Sequence, residues 1–266
     1  MSTNSATNSR TIRDTHCFCG PCMELDIAWS WGKNEAMQGS KLIQREAQRL
    51  FDHFAARLFE LHPASVLDVG TGTGRLLRLL RARAVPCAGL DPALGEEAAE
   101  LGALRGDAAR LPFAEGAFEW VTLRHVPHHL PDLPGALAQA CRVAKKGVLL
   151  SEPWFDRSVP GQRVAERWDL WEKRQHERGG MLHRPCLSAG ELLAALPEGA
   201  WDVETEHYRH VAKIPLAAIE ERAAPLLAEL PTEHEDRQEW TAIREAIQTT
   251  GLSYNGTLIM TIRRAA

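Results

Sequence analysis

The chain has 266 residues, 44% hydrophobic and 25% charged, with ample apolar material for a folded core. Lys plus Arg is 31 against 35 Asp plus Glu, so the formal charge of −4 gives no broad basic surface for nucleic acid or anionic membrane. No run reaches the roughly 18 consecutive apolar residues of a membrane-spanning helix. The polar stretch Met1–Arg13 lacks the apolar run of a secretion signal, so a cytoplasmic protein with six reduced cysteines is expected.

Residues 1–15, rich in Ser, Thr and Asn, read as weakly ordered. From Lys41, the residues Ile43, Ala47, Leu50, Phe54, Leu58 and Leu61 recur at steps of three and four and predict one face of a helix that Pro63 stops. Ser65–Gly70 is a short apolar run ending in glycine, the pattern of a buried parallel strand. A helix over Gly74–Arg83, a strand over Val85–Leu90, a short helix over Glu96–Leu101 and a short strand at Ala103-Leu104 follow. Phe118–Leu123 is a fourth strand. Leu133–Val143 is a helix that Lys145-Lys146-Gly147 should close, and Val148–Ser151 is a fifth strand. Strands alternating with short helices imply parallel βαβ units with right-handed crossovers.

After Glu152 the alternation changes. Residues 155–200 are polar and carry tryptophans, with a helix expected near Ser188–Leu196. Trp201–Val211 and Thr257–Ile262 read as the last two strands, naturally paired antiparallel at one sheet edge. Between them 216–249 is helical, with Pro225 a kink. The expected architecture is an α/β, doubly wound, mostly parallel seven-stranded sheet of Rossmann-like type, with an antiparallel edge strand and helical cap insertions. Four segments are expected: an N-terminal Cys- and Trp-containing stretch (1–40) over the active site, an α/β core (41–154), an insertion or lid (155–200), and the end of the sheet (201–266) with its helical insertion at 216–249.

Asp68-Val69-Gly70-Thr71-Gly72-Thr73-Gly74 leaves a predicted strand and enters a predicted helix. Glycines permit a tight turn with a ligand against the backbone, and the helix start offers free N–H donors. The dinucleotide fingerprint G-x-G-x-x-G would need a third glycine at position 75, which is Arg75. A second acid, Asp91, ends the next strand 21 residues past Gly70, where a carboxylate can accept from a ribose diol, a feature that NAD enzymes share. A third acid, Asp107, follows the third strand.

In these residues the chain resembles the class I S-adenosylmethionine (SAM)-dependent methyltransferases, in particular the broad small-molecule group. Four matches carry the resemblance over about residues 45–152: Val66–Gly74, Gly89-Leu90-Asp91-Pro92, Gly106-Asp107-Ala108 with Leu111-Pro112-Phe113, and Phe118–Val121 running to His128-His129-Leu130. The resemblance implies cofactor contacts from Asp68, Gly70, Thr71, Gly72, Gly74, Asp91, Pro92, Asp107, Ala108 and Arg124. Gly70 and Gly72 would pass the methionine part, Asp91 would hold the ribose hydroxyls, Asp107 with Ala108 would meet the adenine, and Asp68 would organise the loop. One departure is Glu119, where the family usually has aspartate.

Methyl transfer from a sulfonium needs an acceptor held in line at about 3 Å and water excluded; a general base is needed only when the acceptor carries a proton. His125, His128 and His129 follow the fourth strand and Glu152 ends the fifth, so His128 and Glu152 are the candidate catalytic groups. The competing use of His128 or His129 is to cap the next helix or bond backbone, and of Glu152 to be a capping carboxylate. Trp29, Trp31, Trp154, Phe155, Trp168 and Trp171 suit core packing or a pocket wall for a cation or a planar ligand.

Cys87 and Cys141 sit in apolar stretches and read as small buried hydrophobes. His16-Cys17-Phe18-Cys19-Gly20-Pro21-Cys22 allows three readings: a C-x-x-C redox pair, a zinc or other thiophilic-metal site of Cys17, Cys19 and Cys22, or free thiols. His183 and Cys186, at H-x-x-C spacing, could complete such a site. The expected function is SAM-dependent methyl transfer to a small-molecule acceptor, with no nucleic-acid or membrane partner. The alternatives are a non-catalytic SAM- or metal-binding protein on the same fold and an NAD(P)-dependent oxidoreductase. For a short-chain dehydrogenase, no Tyr-x-x-x-Lys is present: each tyrosine is followed four residues on by Ala212 or Leu258.

Overall fold

The structure, a computed structural model, describes residues 10–18, 38–209 and 212–265. It opens with β1 (Arg10–Phe18) and α1 (Gln38–Glu60), followed by β2 (Val66–Val69), α2 (Arg75–Ala82) and β3 (Cys87–Asp91). Then come α3 (Glu96–Glu100), β4 (Leu104–Arg105), β5 (Phe118–Arg124), α4 (Leu133–Val143) and β6 (Ala144–Trp154). The remainder is α5 (Pro160–Arg178), α6 (Ala189–Ala194), β7 (Trp201–Arg209), β8 (Lys213–Ile214), α7 (Leu216–Ala228), α8 (Glu235–Thr250), β9 (Leu252–Ser253) and β10 (Gly256–Arg264).

The main sheet runs β1-β7-β10-β6-β5-β2-β3-β4. The seven expected strands are present, with β10 antiparallel to both β6 and β7 and the rest of the core parallel. An eighth strand, β1, lies parallel to β7, with Arg10 opposite Trp201 and Phe18 opposite Arg209. The backbone from Arg10 to Thr15 is therefore paired, where composition predicted weak order. The polar alternation of Arg10–Phe18 suits a strand on the outside of a sheet, and its partner lies nearly two hundred residues away, beyond any local signal.

Successive strand residues point to opposite faces. Leu67, Val121, Leu123, Val148, Leu150, Met260 and Ile262 bury against α4 and α6, whereas Val66, Trp120, Leu149 and Ile259 bury against α1 and α2. Both faces are covered, which explains the continuous apolar runs. In α1 the buried Phe51, Phe54, Ala55 and Leu58 follow the helical repeat. The helix α4 passes directly into β6. Lys145-Lys146-Gly147, expected as a helix end, belongs to the strand: Lys146 pairs with Glu119 at 2.9 Å, and a Cβ on Gly147 would lie 2.1 Å from the Ile262 carbonyl oxygen.

A separate core joins α5, α7 and α8, expected only as helical insertions. Trp168 and Trp171, three residues apart, stack at 5.2 Å and both meet Trp240. Ile219, Ile243, Leu252 and Tyr254 fill the space around them. Among the described residues no helix is long and apolar enough to cross a membrane.

Candidate functional site

The strand β2 ends at Val69, and Gly70, Gly72 and Gly74 all take left-handed backbone conformations (φ +71°, +53° and +76°). A Cβ on Gly70 would come 2.2 Å from Val126, so side-chain-free backbone is required there. The turn is tied across to the next strand, because the N–H groups of Gly70 and Thr71 donate to the Leu90 carbonyl at 2.7 and 3.2 Å. Asp68 lies beneath the turn, buried. The hydroxyls of Thr71 and Thr122 each donate to it at 2.8 Å. Burial raises its carboxyl to about 6 despite those donors and the nearby Arg124 guanidinium.

Asp91 ends β3 and accepts from the N–H of Gly72 at 2.9 Å and of Ala93 at 2.8 Å, one bond per oxygen. Asp107 follows β4 and accepts from the Ala109 N–H at 2.9 Å. Since β2, β3 and β4 are sheet neighbours, the three acids stand in a row at the carboxyl ends of consecutive strands. Pro92 is exposed beside Asp91, and Ala108 is buried beside Asp107. Arg124 closes β5, its guanidinium 5.5 Å from the centre of the Phe51 ring. A cleft of about 490 Å³ opens next to Asp107, lined also by Arg110, Leu130 and Asp132.

Past β5 the chain enters a polar cluster buried between the sheet and the helical cap. His125 adopts φ +56°, and its imidazole is held well below the usual range by burial and by Arg124. His128 and Glu152, chosen separately from the sequence, are partners: His128 Nδ1 sits 2.9 Å from both carboxylate oxygens, and Glu152 is wholly buried. The Leu187 N–H also donates to Glu152, at 3.3 Å. His129 Nδ1 donates to the Leu182 carbonyl at 2.9 Å, a backbone bond of the kind the alternative reading expected.

Sequence reasoning missed the contribution of α5. Asp169, Lys173 and His176 recur at steps of four and three on one helix face, a signal that was available. Lys173 donates to Asp169 at 2.9 Å and to the Cys186 sulfur at 2.8 Å. Burial alone would lower the lysine; its ion-pair partner Asp169 outweighs that and keeps the ammonium charged. Burial pushes the Cys186 thiol well above its ordinary value. His176 and His183 face each other Nδ1 to Nδ1 at 2.8 Å. His183 and Cys186 thus belong to different contacts. Cys19 and Cys22 lie outside the described residues, and Cys17 is placed only by backbone register, opposite Tyr208 in β7. Cys141 is buried as expected, whereas Cys87 is partly accessible. Glu119, the departure noted above, accepts from the Ala64 N–H and Lys146, away from the loop.

The family model for the methyltransferase domain matches residues 43–196. That span holds the glycine loop, the three acids and the His128–Glu152 pair, and the chain belongs to the class I SAM-dependent methyltransferase family. Solved structures share the fold. The YcgJ protein of Bacillus subtilis is 18% identical, with a TM-score of 0.52 over 81% of this chain and 100% of its own. A proposed sarcosine dimethylglycine methyltransferase from Galdieria sulphuraria is 14% identical, with a TM-score of 0.55 over 84% and 88%. The [4+2]-cyclase SpnF is 20% identical, with a TM-score of 0.53 over 84% of each chain. No curated protein sequence matches the chain.

Proposed function

We propose that the protein moves a methyl group from SAM to a small-molecule acceptor by direct in-line displacement. The observation that carries this reading is the row of Asp68, Asp91 and Asp107 around a turn in which Gly70 and Gly74 leave no room for a side chain. The residues fit an adenosyl ligand. Asp91 uses one lone pair on each oxygen for the turn, and a carboxylate offers about four acceptor sites, which leaves two for a ribose diol. Asp107 borders the cleft suited to the adenine, with Ala108 buried beside it, and Gly70, Thr71, Gly72 and Gly74 present backbone to the amino-acid end. Asp68 and Arg124 fix the turn from below, and Pro92 flanks the diol.

Bound SAM supplies a methyl already activated on a sulfonium. The chain therefore has to position the acceptor, exclude water and, for a protonated acceptor, take up a proton. His128, oriented by Glu152, is the group for that proton. The cap helices α5 and α7 supply the acceptor side, where a shallow depression is lined by Phe155, Trp168, Asp169, Arg222 and Tyr254. Its accessible lining is apolar, which together with the modest net charge of the chain supports a small acceptor over a nucleic acid.

Calorimetry with S-adenosylhomocysteine tests this reading. The wild type should bind it, and Asp91→Ala should bind it about 1–3 kcal/mol more weakly through loss of charged hydrogen bonds. Uptake of NAD(P)H with none of SAM or S-adenosylhomocysteine would overturn it.

A further inference from the structure

Among the described residues, His128, His129 and His183 gather one ring nitrogen each within 4.8 Å of one another. Their ring centres are 4.2, 4.4 and 5.2 Å apart. In each ring Nδ1 is engaged by another group, which leaves Nε2 as the nitrogen for a ligand. A carbonyl oxygen only accepts, so His129 Nδ1 carries the proton toward Leu182 and its Nε2 keeps a lone pair. Likewise His128 Nδ1 donates to the Glu152 carboxylate. The His176–His183 contact needs one donor and one acceptor; with His183 as donor, its Nε2 is also a lone pair. Three imidazole lone pairs then remain for an ion, on rings backed by a carboxylate, a backbone carbonyl and a second imidazole. That is the outer hydrogen bonding that orients histidines around a metal.

We propose that His128, His129 and His183 bind one divalent transition-metal ion of the zinc type through Nε2, with the fourth position left to water. Imidazole without a first-sphere carboxylate suits zinc and its neighbours and not magnesium or calcium. Tetrahedral Zn–N bonds of about 2.0–2.1 Å require only a small closing of the three rings. His128 and His183 are buried and His129 is partly open, which gives the ion a path in. Glu152 holds His128 directly, and Lys173 near the site is paired with Asp169. The ion would also sit close to the cofactor loop, since Val126, two residues before His128, packs on Gly70. An acceptor hydroxyl, thiol or amine replacing the water would be polarised there, and His128, its Nε2 on the ion, would then no longer take the proton; this last point alone rests on the methyltransferase reading.

The experiment reads metal, not turnover. Protein purified without chelator, then stripped and titrated with zinc and with cobalt(II), should take up about one equivalent. Binding should survive the combined replacement Cys17→Ser, Cys19→Ser, Cys22→Ser. His176→Ala should weaken it roughly 10–100-fold, the effect of losing an outer hydrogen-bond partner. His183→Ala and His129→Ala should weaken it further; His183 is outside any helix or strand, so the fold should persist, which the melting temperature of each variant checks. Zinc should raise the melting temperature of the wild type and not of His183→Ala. No stoichiometric uptake by the wild type would overturn the proposal. So would uptake that persists in both histidine variants, or a cobalt spectrum with thiolate charge-transfer bands that vanish in the cysteine variant. S-adenosylhomocysteine affinity, measured on the stripped samples, reports the methyltransferase reading separately.

Discussion

Asp68 shows how one side chain under a turn sets the behaviour of the site. Its charge is expensive to bury, and two hydroxyl donors and Arg124 offset only part of that cost, so its carboxyl titrates near 6 rather than 3.8. A folded value above the unfolded one means that the native state holds the proton more tightly. The stabilisation is complete below about pH 4 and disappears as pH rises through 6. The difference, roughly two units, corresponds to about 3 kcal/mol. Asp68→Asn keeps an acceptor for Thr71 or Thr122 without the charge. Its stability relative to wild type should climb by up to that amount between pH 4 and 6, as read from urea midpoints. A difference that stays flat across that window would show that the Asp68 carboxyl is not perturbed.

At the level of elements, the turn between β2 and α2 was legible because its glycines, its acids and the strand before it all pointed the same way. Its geometry makes a sharp distinction between two glycines. Gly70 and Gly180 both have positive φ, but a Cβ would strike Val126 at Gly70 and meet nothing within 4 Å at Gly180. Alanine at either position costs about 1–2 kcal/mol in backbone strain. Gly70→Ala adds an overpacking cost of about 1–3 kcal/mol. Chemical denaturation should rank Gly70→Ala well below Gly180→Ala, and only Gly70→Ala should weaken S-adenosylhomocysteine binding. Equal losses in the two would remove the close-approach argument.

The elements that escaped the sequence did so for physical reasons. In α5 the face carrying Asp169, Lys173 and His176 is polar yet buried at Asp169 and Lys173 and half-buried at His176, so an apolar-stripe criterion passes over it. The strand β1 has no local partner, and β6 begins within a basic stretch that resembles a helix end. The candidate site divides along the same line: Asp68, Asp91 and Asp107 are set by a local motif, whereas the meeting of His128, Glu152 and His183 depends on tertiary placement of three separate segments.

On the scale of the whole molecule, two apolar cores are joined by a polar seam. The sheet core supports the glycine loop, and the tryptophan-centred core supports the cap. Trp171 is wholly buried and its indole N–H donates to the Asp236 carbonyl at 2.9 Å. Trp171→Ala should cost about 3–5 kcal/mol from the cavity, with an orphaned carbonyl in addition. Because the tryptophan belongs to the cap core, S-adenosylhomocysteine affinity should change little in conditions where the variant stays folded. A large fall in affinity would show that the two cores do not act separately.

The placement of β10 carries a consequence for assembly. This strand is written after every other strand of the sheet, yet it lies between β6 and β7 and touches both. During synthesis, β6 exposes an unsatisfied flank, and β7 with β1 has nothing to join, until Gly256–Arg264 has emerged. The sheet is thus closed from the middle by its latest segment, and a nascent chain halted before that point carries open strand edges of the kind that invite aggregation.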